Sequence, residues 1–305
     1  VRDRRRRSRS LSPCFLGTSR KLDYIVAWAY DRCADGWRAC PEARGEHERG
    51  LRDVRNQRVY QFFGSAPGPK EAPVTWTLLA VNTIIWVGLE LTGGSQNPAN
   101  LLSWGAKYGP AVSSGEYWRM VTPVFLHVGF FHLLANSVGL IAFGGAVERI
   151  FGSPTYALVY LLSGVLGNAA SLWAGPGLGA GASGAIFGIA GTFAVYLLLN
   201  RRELGQLGSQ ALTSVGFIIA INLVLGFTLA SVDNAAHLGG LIGGAMLGAV
   251  FAPRQRTVIS SEQAFRTGPT VRTVEVRPRG LTWLVLAIGA VALTMLLAYA
   301  ATLSY

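Results

Sequence analysis

"GAGASGAIFG", Gly179 to Gly188, sets a serine among glycines and alanines inside a chain whose apolar runs are long enough to cross a bilayer. About 20 helical residues span a hydrocarbon core of about 30 Å. Seven stretches meet that requirement: Val74 to Thr92, Val121 to Gly145, Thr155 to Ala174, Gly181 to Asn200, Ala211 to Ala230, Ala235 to Phe251 and Leu281 to Leu303. The pattern predicts an all-α polytopic membrane protein. Composition agrees, with 50% hydrophobic and only 14% charged residues in a chain of 305, where a soluble domain carries about 25% charged.

The charge is unevenly placed. Of the 27 Lys/Arg and 16 Asp/Glu, 16 and 9 respectively precede Val74, so a basic head is joined to an almost uncharged body. Loops after the second, fourth and sixth stretches carry Arg149, then Arg201 and Arg202, then Arg254, Arg256, Arg266, Arg272, Arg277 and Arg279. Loops after the third and fifth carry none, and the long one after the first has only Lys107 and Arg119. The excess of basic residues on cytoplasmic loops then predicts a cytoplasmic N-terminus and an outer C-terminus.

With this orientation the second, fourth and sixth stretches all enter from the outer face. Their unusual side chains lie in the first half of each: His132 and Asn136, Ser183, and His237. At about 1.5 Å per helical residue, three parallel helices would bring these groups to one depth. His132 and Asn136 are four apart and share a helix face. Serine beside a neutral imidazole is the minimum for nucleophilic catalysis, because the ring can take the hydroxyl proton as attack begins. A serine opening a helix also places its own N–H among the unpaired donors there, which suits an oxyanion.

Each residue alone has a plainer explanation. A lone membrane serine commonly bonds a carbonyl of the preceding turn or a neighbouring helix, and a lone histidine is commonly structural or a proton relay. The Gly184/Gly188 and Gly240/Gly244/Gly248 spacings report close helix packing. Both readings hold together if the fourth and sixth helices touch.

Four motifs in register make the chain similar to the rhomboid intramembrane serine proteases. Gly181-Ala182-Ser183-Gly184 matches the family's G-x-S-G, and Ala236-His237 through Gly240 and Gly244 matches A-H-x-x-G-x-x-x-G. His132 and Asn136 match H-x-x-x-N, Trp118-Arg119 matches the loop signature W-R, and "GGAVERIFG" resembles the cytoplasmic end of the second helix. The resemblance runs from about Val74 to Phe251 and implies a six-helix core, with one helix added at the C-terminus.

The resemblance also implies roles. Ser183 would be the nucleophile and His237 the base; His132, Asn136 and the Ser183 N–H would hold the oxyanion. Gly181, Gly184, Gly240 and Gly244 would shape the helix contacts, and Phe187 would pack its ring on the base where the family commonly has tyrosine. The implied reaction is hydrolysis of a peptide bond in or near the transmembrane segment of a single-pass membrane protein, near the outer face of the bilayer. Small or helix-breaking residues are the expected preference. No cofactor is expected, and no metal: the cysteines at 14, 33 and 40 and the scattered histidines have no zinc spacing.

Two other functional classes remain. A non-catalytic relative that binds transmembrane helices would typically lack the serine or histidine, both of which are present. A transporter or proton channel would use His132 and His237 but leaves the G-x-S-G context unused. Among other conspicuous residues, His127 is expected to be structural, Asp233 to be a loop or helix-capping acid, Asn82 and Asn222 to bond between helices, and Trp118 and Arg119 to anchor at the interface.

The domain reading is a basic, disordered cytoplasmic region at 1–73, the core at 74–251, a polar cytoplasmic linker at 252–280, and the seventh helix with a short outer tail at 281–305. The opening "VRDRRRRSRS" alone would suit RNA or an anionic lipid surface; here a solvated tail is expected, with no nucleic-acid partner. No adequate apolar region follows it, so no signal peptide is expected. The initial Val leaves open a non-standard start codon or a start assigned too far upstream. "YIVAWAY" at Tyr24 to Tyr30 is too short to span, and disulfides are not expected in a reducing cytosol. A helix added after the core suits bacterial or secretory-pathway members of the family, and a cell-membrane location, better than mitochondrial ones.

Overall fold

The expected apolar stretches all become helices, with shifted ends. The computed structural model describes residues 67–228, 232–260, 270–276 and 281–303; the predictions for the N-terminal head and its cysteines lie outside them. The first long helix is α1 (Pro73–Thr92), opened by a proline whose missing N–H costs nothing at that position. Two short helices follow, α2 (Pro98–Ser103) and α3 (Gly109–Ser113). The remaining helices are α4 (Gly129–Phe151), α5 (Ser153–Ala174), α6 (Ser183–Leu199), α7 (Arg201–Thr228), α8 (Asn234–Phe251) and α9 (Leu281–Thr302). Between α8 and α9, strands β1 (Arg254–Ser260) and β2 (Thr270–Val276) pair as a two-stranded sheet within the linker.

Among the described residues, five helices, α1, α4, α5, α7 and α8, are long and apolar enough to cross a membrane by length and composition. The 17-residue α6 is shorter, as is the apolar Val285–Ala300 stretch of α9. The second span corrects the sequence reading: it starts at Gly129, not Val121. Residues Tyr117–Met120 and Thr122–Phe125 are 3-10 turns, the second opened by Pro123, and the chain turns extended at Leu126 before α4 begins. Farther on, a π-helical turn at Leu140–Gly144 carries α4 through its paired glycines to Phe151 instead of ending there. Ahead of the fifth span, by contrast, helical backbone already starts at Arg201, and Gly205, with φ 60°, kinks it away from the helix that follows.

The α5, α6 and α8 helices form the centre of the bundle. Along α5, Ser163 lies against Gly188, Gly167 against Gly184 and the carbonyl of Ala236, and Ser171 against Asp233. Rising numbers on α5 meet falling numbers on its partners, so α5 runs antiparallel to both. The α6 and α8 helices run parallel in main-chain contact: a β-carbon on Gly240 would collide with the Gly184 carbonyl, and one on Gly244 with that of Gly188. The Thr192 hydroxyl donates to the Gly244 carbonyl at 2.6 Å. Lipid tails give no hydrophobic drive to helix association, so such close approach supplies it through dispersion and hydrogen bonding. The α9 helix lies along α5: Trp283 donates to Thr155 at 3.0 Å near its start, and Ala298 joins the cluster of Val165, Ala169 and Leu172 near its end.

Glu148 ties the far end of α4 to α1. It is 2% exposed and accepts from the Val74 and Thr75 N–H groups, the Thr75 hydroxyl and the Ser153 hydroxyl. A carboxylate there satisfies the unpaired donors that open α1 and complements its dipole. By contrast, Asn222 does not bond between helices as expected; it donates to the Ile218 carbonyl of its own helix at 2.8 Å.

Candidate active site

Ser183 is the first residue of α6, so its N–H is among the donors that the helix leaves unpaired. The loop before it is pinned at two points. Lys107 and Gly179 exchange both N–H···O bonds at 2.9 Å, and Gly181 N–H donates to Pro123 at 2.9 Å. Irregular backbone at membrane depth needs such internal partners. Gly181 has φ 151°, and a β-carbon there would stand 2.7 Å from Cε1 and 2.9 Å from Nε2 of His132, and 3.6 Å from the Ser183 hydroxyl. Only glycine leaves that space open, and His132 and Ser183 flank it from two sides.

The His132 Nδ1 accepts from the Val128 N–H at 3.4 Å. In the neutral ring the proton then sits on Nε2, the atom facing Gly181. Asn136, one turn on, is buried with its amide nitrogen lacking an acceptor among the described residues. An orphaned buried donor is uncommon.

His237 is the fourth residue of α8 and is buried. Its ring stacks on Phe187, with centroids 4.3 Å apart and planes at 12°. The expected packing is present without a phenolic hydroxyl. The main chains of Gly184 and Ala236 meet one residue after Ser183 and one before His237, so the glycine contact between α6 and α8 also sets the spacing of the pair. Asp233 caps α8, accepting from the Ala236 N–H at 2.9 Å through Oδ1, while Oδ2 accepts from Ser171. Both carboxylate oxygens are engaged away from the imidazole, and His237 Nδ1 has no hydrogen-bond partner among the described residues. Asp233 is thus placed as the capping acid of α8.

Arg119 differs from a simple interfacial anchor. It is 7% exposed, donates to Glu116 at 2.7 Å, Leu102 at 2.7 Å and Ala106 at 3.1 Å, and lies 4.4 Å over the Trp118 ring. It staples the loop between α1 and α4 from within. His127 is structural in position, fully buried and edge-on to His132 at 5.4 Å. Burial first, and His132 second, push it down to about 3, so it is neutral at physiological pH. Between pH 6.5 and 3 the unfolded chain binds a proton that the fold refuses, so stability is full above that window and drains as pH falls, by about 1.4 kcal/mol per unit. Thermal unfolding in detergent should shift down between pH 6.5 and 4.5, and His127→Leu should flatten that slope.

Two residues of the neighbourhood carried no sequence signal. Lys107 and Ser171 are buried beside Asp233, yet read singly they are a loop lysine and a helix serine. No cluster of metal-binding side chains occurs among the described residues.

Residues 114–254 match the Rhomboid domain. The rhomboid protease GluP of Bacillus subtilis (strain 168) is 38% identical over 214 residues, 70% of this chain and 41% of GluP. YdcA of the same organism, whose name assigns it provisionally to the rhomboid proteases, is 34% identical over 180 residues, 57% of this chain and 86% of YdcA. RHOMBOID-like protein 1 of Arabidopsis thaliana is 44% identical over 144 residues, 47% of this chain and 36% of that protein. The chain therefore spans well under two thirds of GluP and of the plant relative, and most of YdcA. With these relatives, and as a predominantly helical, multi-pass integral membrane protein, the chain belongs to the rhomboid family.

Proposed function

We propose that this chain is an intramembrane serine endopeptidase that cuts transmembrane segments of single-pass membrane proteins with a Ser183–His237 dyad. The observation that carries the reading is the meeting of three parallel helix starts: Ser183 opening α6, His237 stacked on Phe187 at the head of α8, and His132 turned by its Val128 bond toward the space beside Gly181. The Ser183 hydroxyl attacks the scissile carbonyl as His237 takes its proton. The oxyanion is held by the Ser183 N–H, His132 and Asn136. His237 returns the proton to the leaving amine, and water, activated by the same ring, releases the acyl-enzyme. A substrate helix must unwind locally to offer a carbonyl, which favours small or helix-breaking residues at the cut.

The N-terminus and the loops bearing Arg149, Arg201 and Arg254 lie in the cytoplasm in this reading, with the dyad near the outer face of the cell membrane and the C-terminus outside. Burial of Lys107 and Arg119 supports that orientation, because basic residues enclosed in protein do not weigh against an outer loop. The test is cleavage of a model single-pass substrate by purified protein in proteoliposomes, beside Ser183→Ala. The wild type should cut and the variant should not. Undiminished cleavage by Ser183→Ala sinks the protease reading, as does substrate binding without cleavage by the wild type, which would make the chain a helix-binding relative.

A further inference from the structure

A buried polar relay crosses the end of the bundle that holds the dyad. The Lys107 ammonium, on a residue 2% exposed, donates to the Ser171 hydroxyl at 2.5 Å, and that hydroxyl donates to Oδ2 of Asp233. Asp233 in turn caps α8 through the Ala236 N–H, one residue before His237. The main chain of Lys107 meanwhile pairs with Gly179, four residues before Ser183. One residue therefore holds both halves of the site, although the halves come from helices separated by all of α7.

Enclosing an ammonium is costly, and burial holds Lys107 below the ordinary lysine value, opposed by the Asp233 carboxylate. An apolar side chain of similar length would fill the space without that penalty. What the lysine adds is direction: a charge-assisted bond fixes the Ser171 hydroxyl as a donor to Asp233, so the cap on α8 is locked to the loop that delivers Ser183.

We propose that Lys107 is a positioning residue for the dyad, setting the Ser183 loop with its main chain and the His237 helix, through Ser171 and Asp233, with its ammonium. The proposal rests on the protease reading above. It touches no reacting atom, so its effect belongs in turnover and not in substrate binding. The measurement is kcat and KM, per enzyme titrated with a fluorophosphonate, for Lys107→Met, Ser171→Ala, Asp233→Asn and the double variant Lys107→Met/Asp233→Asn. Each single change should lower kcat about tenfold with KM held within about twofold, short of the roughly hundredfold that a 1 Å misplacement can cost. The double variant should be no worse than the singles, because all three interrupt one chain of bonds.

Ser171→Ala removes a single hydroxyl and decides the matter should Lys107→Met fail to accumulate. Unchanged kcat in Ser171→Ala and Asp233→Asn overturns the proposal, as do losses confined to KM or losses that multiply in the double variant. Activity retained by Ser183→Ala is a separate result, which removes the protease reading itself.

Discussion

His237→Ala should lower kcat on a model transmembrane substrate by about 10^3-fold or more, with the helix bundle intact by circular dichroism. A serine hydroxyl at neutral pH is a poor nucleophile, and the base in the proposed mechanism is the ring stacked on Phe187. Loss of that ring also removes the acid that protonates the departing amine, so both halves of the reaction suffer. Labelling of Ser183 by a fluorophosphonate should fall in parallel, since it draws on the same activation. Asp233→Asn provides the contrast: asparagine still caps α8 through its side-chain oxygen, so its loss should stay near tenfold. Equal, deep losses in the two variants would make Asp233 an orienting member of a triad, against its bonds to Ser171 and Ala236.

Gly244→Val should be the most damaging single change to the fold. The added side chain would drive into the Gly188 carbonyl, and separation of the helices would also break the Thr192 bond to the Gly244 carbonyl. Overpacking and one lost buried hydrogen bond together cost about 3 kcal/mol or more, or roughly 5 °C in melting temperature for a chain of this size. Gly175→Ala is the matched control. Its backbone is extended at φ 168°, and nothing lies within 4 Å of the added carbon, so its melting temperature should match wild type. A Gly244→Val protein as stable as that control would mean that α6 and α8 part without cost.

Much of this was legible because membranes simplify the code. Hydrocarbon forbids unpaired backbone, so helices must be long and apolar, and the few polar residues inside them stand out: Ser183, His237, His132 and Asn136 were all visible as departures from an apolar background. The ends of spans were less legible, since an apolar run does not distinguish helix from buried loop; Val121 to Val128 is apolar enough for either, and Pro123 together with the bonds to Gly105 and Gly181 decides for the loop. The relay of Lys107, Ser171 and Asp233 was invisible for another reason. Its members lie more than 60 positions apart in sequence, and each alone has an ordinary surface or helix explanation, so only their meeting in space gives them meaning.

The π-helical turn in α4 has one more consequence, a matter of angular phase. Asn136 and Glu148 are twelve residues apart, which in a regular helix sets them about 120° around the axis from each other. One of the two would then face lipid. A π turn absorbs one extra residue and so winds the following segment back by about 100°, leaving Asn136 and Glu148 within about 20° of a common line. Both are buried. The turn at Leu140–Gly144 is thus a phase correction, by which a single helix presents its oxyanion candidate at one end and the anchor of α1 at the other to the same protein interior.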